Sequence, residues 1–244
     1  MLDRGLVIAG VVVPGTELVQ RHPQRWWSWD VITDRPDLRL RKGAPIELYG
    51  GHWTGGPIRE GEAAPLRTVE AMRARQRDDG TLMDVSCHFV LGWDGGVWQV
   101  ADLEHATVHM GRAVNVRSVG VETTWPGYAS AARDIASTIA RNGRMPSPAY
   151  DGPVDTRVVR GREIKCLRPS AELVASWVAL GELLADLSVH RPELGLRIPR
   201  RLAVPAPGRW PTKGALEHWQ APGAHKDDAG GYLLEALERA GWAR

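Results

Sequence analysis

Cysteine and long hydrophobic runs are both scarce in this chain of 244 residues. Its two cysteines, Cys87 and Cys166, are too few for a disulfide framework and lack the paired spacing of a zinc finger. The longest apolar run, Leu6 to Val13, is less than half of the roughly 20 residues that a transmembrane helix needs. It is also a poor secretion signal, because Asp3 balances Arg4 and no small-residue cleavage pattern follows. We therefore expect no membrane insertion and synthesis in the cytoplasm without a signal peptide.

Charge of one sign is also in short supply. The formal net charge is only +2, and arginines are interspersed with acidic residues rather than grouped. This distribution is not that of a nucleic-acid-binding surface, so we expect no nucleic-acid partner. The hydrophobic share of 43% is ordinary for a folded domain and excludes collagen, a coiled coil and wholesale disorder.

Hydrophobic periodicity predicts alternating strands and helices, which indicates an α/β class with one central mixed sheet flanked by helices. We expect residues 1–44 to form an N-terminal extension packed on the body, held there by a tryptophan cluster at Trp26, Trp27 and Trp29. Residues 45–244 form the body. It carries proline-rich extra sequence near 142–168 and 198–213.

The individual elements follow from alternation, turn residues and helical spacing. Strands are predicted over 6–13, 45–49, 85–91, 97–100 and 118–122, and helices over 67–77, 129–141, 170–189 and 233–240. Ser170 is the predicted N-cap of the long helix.

Potential metal ligands are concentrated in one loop near the C-terminus. Pro222 and Gly223 favour a loop over 217–230, and this segment contains two histidines, a lysine and two aspartates. Far upstream, His52 follows a short apolar stretch and stands among glycines. Imidazole and carboxylate groups at such positions are candidate zinc ligands, with one coordination position left for water.

The spacing of these residues resembles that of the zinc-dependent N-acetylmuramoyl-L-alanine amidases, the superfamily of phage lysozymes, peptidoglycan-recognition proteins and muropeptide-recycling amidases. That family opens with a strand ending in His-x-Thr or His-x-Ser, matched here by His52-Trp53-Thr54. It closes with a histidine, a lysine eight residues on, an aspartate or cysteine ten residues on, and a glycine two further. His218, Lys226, Asp228 and Gly230 reproduce those offsets.

Intermediate motifs occur in the same order as in the family. They are Ser86 to Leu91, the turn Asp94-Gly95, Trp98 to Val100, His109-Met110-Gly111 and Ser118 to Glu122. The resemblance covers about residues 45 to 240. It implies a central mixed sheet with the metal in a groove on one face.

The resemblance also implies the roles of the site residues. His52, His218 and Asp228 would hold Zn²⁺ with a water in the fourth position. Glu122 would take a proton from that water and pass it to the leaving amine, and Lys226 would stabilise the oxyanion.

Three further residues are expected at the substrate: His109, Trp53 and Trp219. Cys87 stands where phage and recognition-type members carry a catalytic tyrosine, which places more weight on Glu122.

Some alternatives stay open. Asp227 competes with Asp228 as the ligand, because a shift of one residue would exchange them. His225 is a weaker candidate, expected to be a solvated loop residue or a substrate contact. His88, inside an alternating strand, is expected to be a packed sheet residue.

The resemblance predicts hydrolysis of the amide bond between N-acetylmuramic acid and L-alanine in peptidoglycan. We expect a monomer that acts on peptidoglycan or muropeptides after release or export, as a phage endolysin would. A cytosolic recycling amidase and a non-catalytic recognition module are the alternatives.

Overall fold

A computed structural model describes most of the chain. The described residues are 4–21, 41, 43–74, 79–80, 85–128, 152–203, 213–220 and 230–244. The strands are β1 (Val7–Ile8), β2 (Val11–Val12), β3 (Gln20–Arg21), β4 (Leu48–Trp53), β5 (Phe89–Leu91), β6 (Val97–Gln99), β7 (Ser118–Thr123), β8 (Val154–Val159), β9 (Arg162–Leu167) and β10 (Gly214–Glu217). The helices are α1 (Ala63–Arg73), α2 (Arg112–Asn115), α3 (Ala171–His190) and α4 (Tyr232–Arg239), with 3₁₀ turns at Pro192–Leu194 and His218–Gln220.

Six strands form the central sheet in the order β10-β4-β7-β5-β6-β3. The first four run parallel to one another, β6 is antiparallel to β5, and β3 is parallel to β6. The sheet is therefore mixed, and helices cover both of its faces, which confirms the predicted fold class. Strands β8 and β9 form a separate antiparallel hairpin within the extra sequence near 142–168.

One face of the sheet, here called the helix face, is covered by α3 and α4. Trp177 of α3 is fully buried and stacks on Tyr49 of β4 with ring centroids 4.0 Å apart. A Cβ atom at Gly51 would lie 2.6 Å from Leu233 Cδ1 of α4, so a glycine is needed for this close approach. The Ser170 hydroxyl accepts the Leu173 N–H at 3.1 Å, as the predicted N-cap should.

Helix α3 is also, within the described ranges, the one helix long and apolar enough to cross a membrane. Its apolar stripe instead packs in the core, where the buried side chains include Leu173, Trp177, Leu180 and Leu184. A core helix passes the same test of length and composition.

The opposite face of the sheet, here called the site face, carries α1 and the segment after residue 109. Met72 of α1 packs near Val90 of β5. Leu48 of β4 packs with Met110 and Val114. Alternation places every second residue of β4 and β7 on this face, and the two strands run side by side in register.

Several predicted elements differ from the structure in their bounds. Strand β4 ends at Trp53 rather than at residue 49, and β5 begins at Phe89 rather than at residue 85. The run from Leu6 to Val13 is not one strand but the short β1–β2 hairpin, because Ala9 and Gly10 both adopt positive φ and reverse the chain. Helix α1 begins at Ala63, four residues before the predicted start. Pro65 is tolerated there because N–H groups of the first turn need no intrahelical partner.

Other predictions fall outside the described residues. They are the helix over 129–141, the tryptophan cluster at 26, 27 and 29, and the C-terminal loop positions 225–228. Within the N-terminal 44 residues, β3 pairs with β6 at the edge of the central sheet.

Candidate active site

Two polar side chains end neighbouring strands on the site face. His52 is the second-last residue of β4 and Glu122 the second-last residue of β7, and the two are paired in the parallel register. Paired residues of adjacent strands point to the same face, so the imidazole and the carboxylate lie side by side. Both are buried, with exposed fractions of 2% and 7%. The carboxyl ends of parallel strands are where α/β proteins bind ligands.

A second histidine, His218 from the C-terminal part of the chain, lies next to His52. Strand β10 pairs in parallel with β4, and His218 follows it directly as the first residue of a 3₁₀ turn. The rings of His218 and His52 meet edge to face with centroids 4.7 Å apart. Two of the three predicted ligands are thus adjacent. The third, Asp228, and Lys226 lie outside the described residues.

His109 is a third imidazole at the same place. Its Nδ1 atom lies 3.1 Å from His52 Nε2, and its Nε2 atom lies 2.8 Å from Ser118 Oγ. Burial lowers the pKa of His109 well below its usual value, and the neighbouring His52 and His88 lower it further. His109 is therefore neutral at physiological pH and keeps one ring nitrogen lone pair.

The donor set fits zinc. Imidazole nitrogens are preferred zinc ligands, and the structure brings His218 against His52, which lines a cavity together with the carboxylate of Glu122. A catalytic zinc site needs one further protein ligand and an open position, and the role of Asp228 as that ligand stays a prediction.

The cavity beside these residues has a volume of about 480 Å³. This is within the range of roughly 300–1,000 Å³ typical of ligand pockets. Its walls include His52, His109, Glu122, Trp53, Arg59 and Tyr128. Arg59 and Tyr128 were missed by sequence reasoning, since no motif singles them out.

The two predicted substrate-contacting tryptophans have different surroundings. Trp53 is 6% exposed and packs edge to face against Trp125 and Tyr128, each with ring centroids 5.0 Å away. Trp219 is half-buried and donates its indole N–H to Glu217 Oε2 at 2.6 Å. Their contacts with substrate stay predictions.

Cys87 is fully buried in the neighbourhood of Glu122. Burial raises the pKa of the Cys87 thiol well above its usual value, and the charge of Glu122 raises it further. The thiol therefore stays protonated. It offers no thiolate for catalysis.

His88 lies immediately before β5 rather than inside a strand, but it is buried and hydrogen-bonded, as expected. The Gly120 N–H donates to its Nδ1 atom at 2.9 Å, and its Nε2 atom lies 2.9 Å from the His105 carbonyl oxygen. Burial lowers the pKa of His88 well below its usual value, and the charge of Arg41 lowers it further. The ring is therefore neutral, and its hydrogen bond with the Gly120 N–H connects it to β7.

Glu217 is a buried carboxylate that sequence reasoning also missed. It accepts the backbone N–H groups of Gly231, Leu233 and Leu234 at 2.6 to 3.2 Å. These are donors of the first turn of α4, which otherwise have no intrahelical partner. The carboxylate therefore holds the start of α4 next to the end of β10.

A separate acidic group lies on the loop after β6. Ligand atoms of Asp102, Glu104 and His105 are within 4.8 Å of one another. The Asp102 carboxylate already accepts the backbone N–H groups of Ala9 and Gly10 at 2.9 and 2.7 Å. We therefore assign Asp102 to anchoring the N-terminal hairpin rather than to metal binding.

Sequence comparison identifies the family of one segment. Residues 42–155 match the profile of the N-acetylmuramoyl-L-alanine amidase family, known as Amidase_2. This segment contains His52, His109 and Glu122, and the match confirms the resemblance predicted from the motifs. No curated protein matches the chain.

Several solved structures match this chain at low sequence identity. The complex of peptidoglycan recognition proteins LCa and LCx with bound tracheal cytotoxin matches with a TM-score of 0.50 at 13% identity, covering 93% of this chain and 98% of that one. The amidase AmiD from E. coli matches with a TM-score of 0.46 at 13% identity, covering 82% of this chain. This chain spans 58% of the AmiD chain. The Ph2119 endolysin, from a Thermus scotoductus bacteriophage, matches with a TM-score of 0.43 at 15% identity, covering 90% of this chain and 98% of that one.

Proposed function

From the N-acetylmuramoyl-L-alanine amidase family segment at residues 42–155, we propose that this protein is a zinc-dependent peptidoglycan amidase. It cleaves the amide bond between the lactyl group of N-acetylmuramic acid and L-alanine of the stem peptide. The observation that carries the proposal is the meeting of His52 and His218, with ring centroids 4.7 Å apart, beside Glu122 and a cavity.

His52, His218 and Asp228 are the proposed ligands of the metal. When bound there, zinc lowers the pKa of a bound water towards about 7 and polarises the scissile carbonyl. An amide is a poor electrophile, so both contributions are needed.

Glu122 is the proposed general base. Its carboxylate shares a face of the sheet with His52 and lines the cavity. It takes the proton of the attacking water and delivers it to the leaving amine of L-alanine. Lys226, two residues before Asp228, is the proposed cation at the developing oxyanion.

The cavity is the proposed muropeptide site. It is large enough for part of a sugar or peptide, and Trp53 offers an aromatic wall. Trp219 follows the ligand His218 directly and is proposed to extend that wall.

We propose a lytic role, in which a monomer made in the cytoplasm reaches the cell wall after release or export. The extra sequence near 142–168 and 198–213 makes the chain larger than a minimal recycling enzyme, which favours this role over recycling. No nucleic acid and no membrane insertion enter the proposal.

The test is digestion of purified cell wall by the protein, followed by labelling of new free amino termini. We expect new L-alanine termini, loss of their release after EDTA treatment, and restoration by Zn²⁺. A recognition module would release no termini, and a hydrolase of another amide would release none or different ones.

Two variants separate metal binding from proton transfer. His218→Ala should lose both cleavage and zinc, whereas Glu122→Gln should keep zinc and lose about 10²- to 10⁴-fold in rate. His190→Ala, on the exposed end of α3, is the matched control and should behave as the wild type. Wild-type zinc content in His218→Ala would refute the ligand assignment.

A further inference from the structure

His109 lies flat on a glycine platform of the site face. Gly50 of β4 and Gly120 of β7 are paired in register. A Cβ atom at Gly120 would lie 2.6 Å from His109 Cγ. One at Gly50 would lie 2.6 Å from Met110 Cε and 3.3 Å from His109 Cε1. The absence of a side chain at Gly120 therefore lets the imidazole occupy this position, and Gly50 makes room mainly for Met110 beside it.

The backbone that carries His109 is also held. The Asn115 side-chain oxygen accepts the N–H groups of His109, Met110 and Gly111 at 3.2, 2.9 and 3.1 Å. The imidazole is 8% exposed. It therefore has a defined orientation that does not depend on a bound ligand.

Both ring nitrogens of His109 face protein atoms in a continuous chain. His52 Nε2 lies 3.1 Å from His109 Nδ1, and His109 Nε2 lies 2.8 Å from Ser118 Oγ. A neutral imidazole has one N–H and one lone pair, so the protons in this chain have two self-consistent arrangements.

Only one of these arrangements suits a metal ligand. If Ser118 donates to His109, then His109 Nδ1–H donates to His52 Nε2, and the remaining His52 nitrogen carries a proton. If His52 Nε2–H donates to His109 Nδ1, then His109 Nε2–H donates to Ser118 Oγ. His52 Nδ1 then keeps the lone pair that coordination requires.

We propose that His109 is a positioning residue that fixes the orientation and tautomer of His52 through the Ser118–His109–His52 chain. The proposal rests on the proposed function insofar as His52 is a metal ligand. Partners that accept the second N–H of a ligating histidine orient its ring, and their removal typically weakens metal affinity 10- to 100-fold. The role is distinct from the substrate contact predicted for His109 from sequence.

The test compares zinc affinities, measured by competition with a chromogenic chelator. His109→Phe keeps a planar ring and removes the acceptor, so zinc affinity should fall about 10- to 100-fold. His109→Asn offers an amide oxygen close to the position of Nδ1 and should bind zinc more tightly than the Phe variant. Ser118→Ala should have the smallest loss, because His109 keeps its contact with His52.

Two controls accompany these variants. His190→Phe changes an exposed histidine and should leave zinc affinity unchanged. Thermal unfolding of each metal-free variant shows whether it is folded. If His109→Phe does not fold, the Asn and Ser118→Ala variants still decide the outcome.

The Co²⁺-substituted proteins provide a second readout. A positioning role predicts that His109→Asn keeps the visible spectrum of the wild type, since the ligands are unchanged. A changed spectrum in that variant would make His109 a ligand and overturn the proposal. Wild-type zinc affinity in a folded His109→Phe variant, or equal losses in the Phe and Asn variants, would also overturn it.

Different results would contradict the proposed amidase function and the proposed positioning role of His109. A wild-type protein that binds zinc but releases no L-alanine termini contradicts the amidase function and leaves the zinc comparison intact. An active wild type whose folded His109→Phe variant keeps full zinc affinity contradicts the positioning role alone.

Discussion

Both faces of the central sheet contain strand glycines that make room for a neighbouring side chain, but the result differs between the faces. On the helix face, Gly51 makes room for Trp177 and Leu233, and the result is a closed apolar core. On the site face, Gly120 makes room for His109, and the result is a polar group held beside a cavity. A glycine in a strand thus serves packing or site construction according to what lies above it.

Buried polar groups on the two faces also differ. Glu217, between β10 and α4, accepts backbone N–H groups and so completes the first turn of a helix. His52 and Glu122 instead line the cavity, where a ligand can reach them. A carboxylate surrounded by backbone donors stabilises the fold, whereas one at a cavity is available for chemistry.

The largest effect on stability is expected from removing the Glu217 carboxylate, which holds the start of α4 on the helix face. Glu217→Ala leaves several buried N–H groups of α4 without an acceptor, and we expect a loss of about 3 kcal/mol in the free energy of unfolding. Urea denaturation measures it. The control Glu235→Ala, also on α4, removes a partly exposed ion pair with Arg157 of β8 and should cost less than about 1 kcal/mol. Equal losses in both variants would contradict the anchoring role.

A matched pair of glycine substitutions sharpens the contrast between the faces. Gly51→Ala and Gly120→Ala each insert a methyl group into occupied space, so each should cost about 1–3 kcal/mol in stability. Only Gly120→Ala displaces His109 and should also weaken zinc affinity. Urea denaturation and chelator competition measure the two effects.

Gly56→Ala is the control for this pair, since its nearest neighbour would be Thr54 Oγ1 at 3.7 Å. It should leave both quantities nearly unchanged. Zinc affinity that falls equally in the Gly51 and Gly120 variants would show that the faces are not independent.

The smallest effect is a pH dependence of stability that arises on the site face. Because burial lowers the pKa of His88, the unfolded chain binds a proton below about pH 6.5 that the folded protein does not. Titration of His88 therefore leaves the free energy of unfolding unchanged above pH 6.5. Below that pH it lowers the free energy of unfolding by at most about 1.4 kcal/mol per pH unit.

Urea denaturation at pH 7, 6 and 5 checks this expectation. His88→Asn, which keeps an acceptor for the Gly120 N–H, should make the loss shallower. His190→Asn, at an exposed position, should not. An unchanged pH dependence in His88→Asn would exclude His88 as a source of the effect.

Local sequence patterns predicted much of the fold. Alternation over 118–122 predicted β7 with a carboxylate near its end, and Asp94-Gly95 predicted the turn between β5 and β6. The Ser170 cap predicted the start of α3. These signals are short-range, since each depends on backbone preferences within a few residues.

Other features could not be read from local patterns. The contact of Ser118 with His109 joins residues 9 positions apart, but that of His109 with His52 joins residues 57 positions apart. Glu217 had no sequence signal as a helix anchor, because its acceptor role appears only when α4 folds back onto β10. The place of β3 at the sheet edge depends likewise on pairing with the distant β6.

The sequence by itself predicted β4 to β7 and the helices α1, α3 and α4, the family of residues 42–155 and the identity of the candidate ligands, because these follow from residue type and spacing. Only the tertiary structure decided which imidazoles meet. His52 and His218 come together because β10 pairs in parallel with β4, and His109 joins them because Gly120 of β7 leaves space for its ring. Such proximity is set by strand pairing and close packing between distant segments, to which no local preference of the chain corresponds.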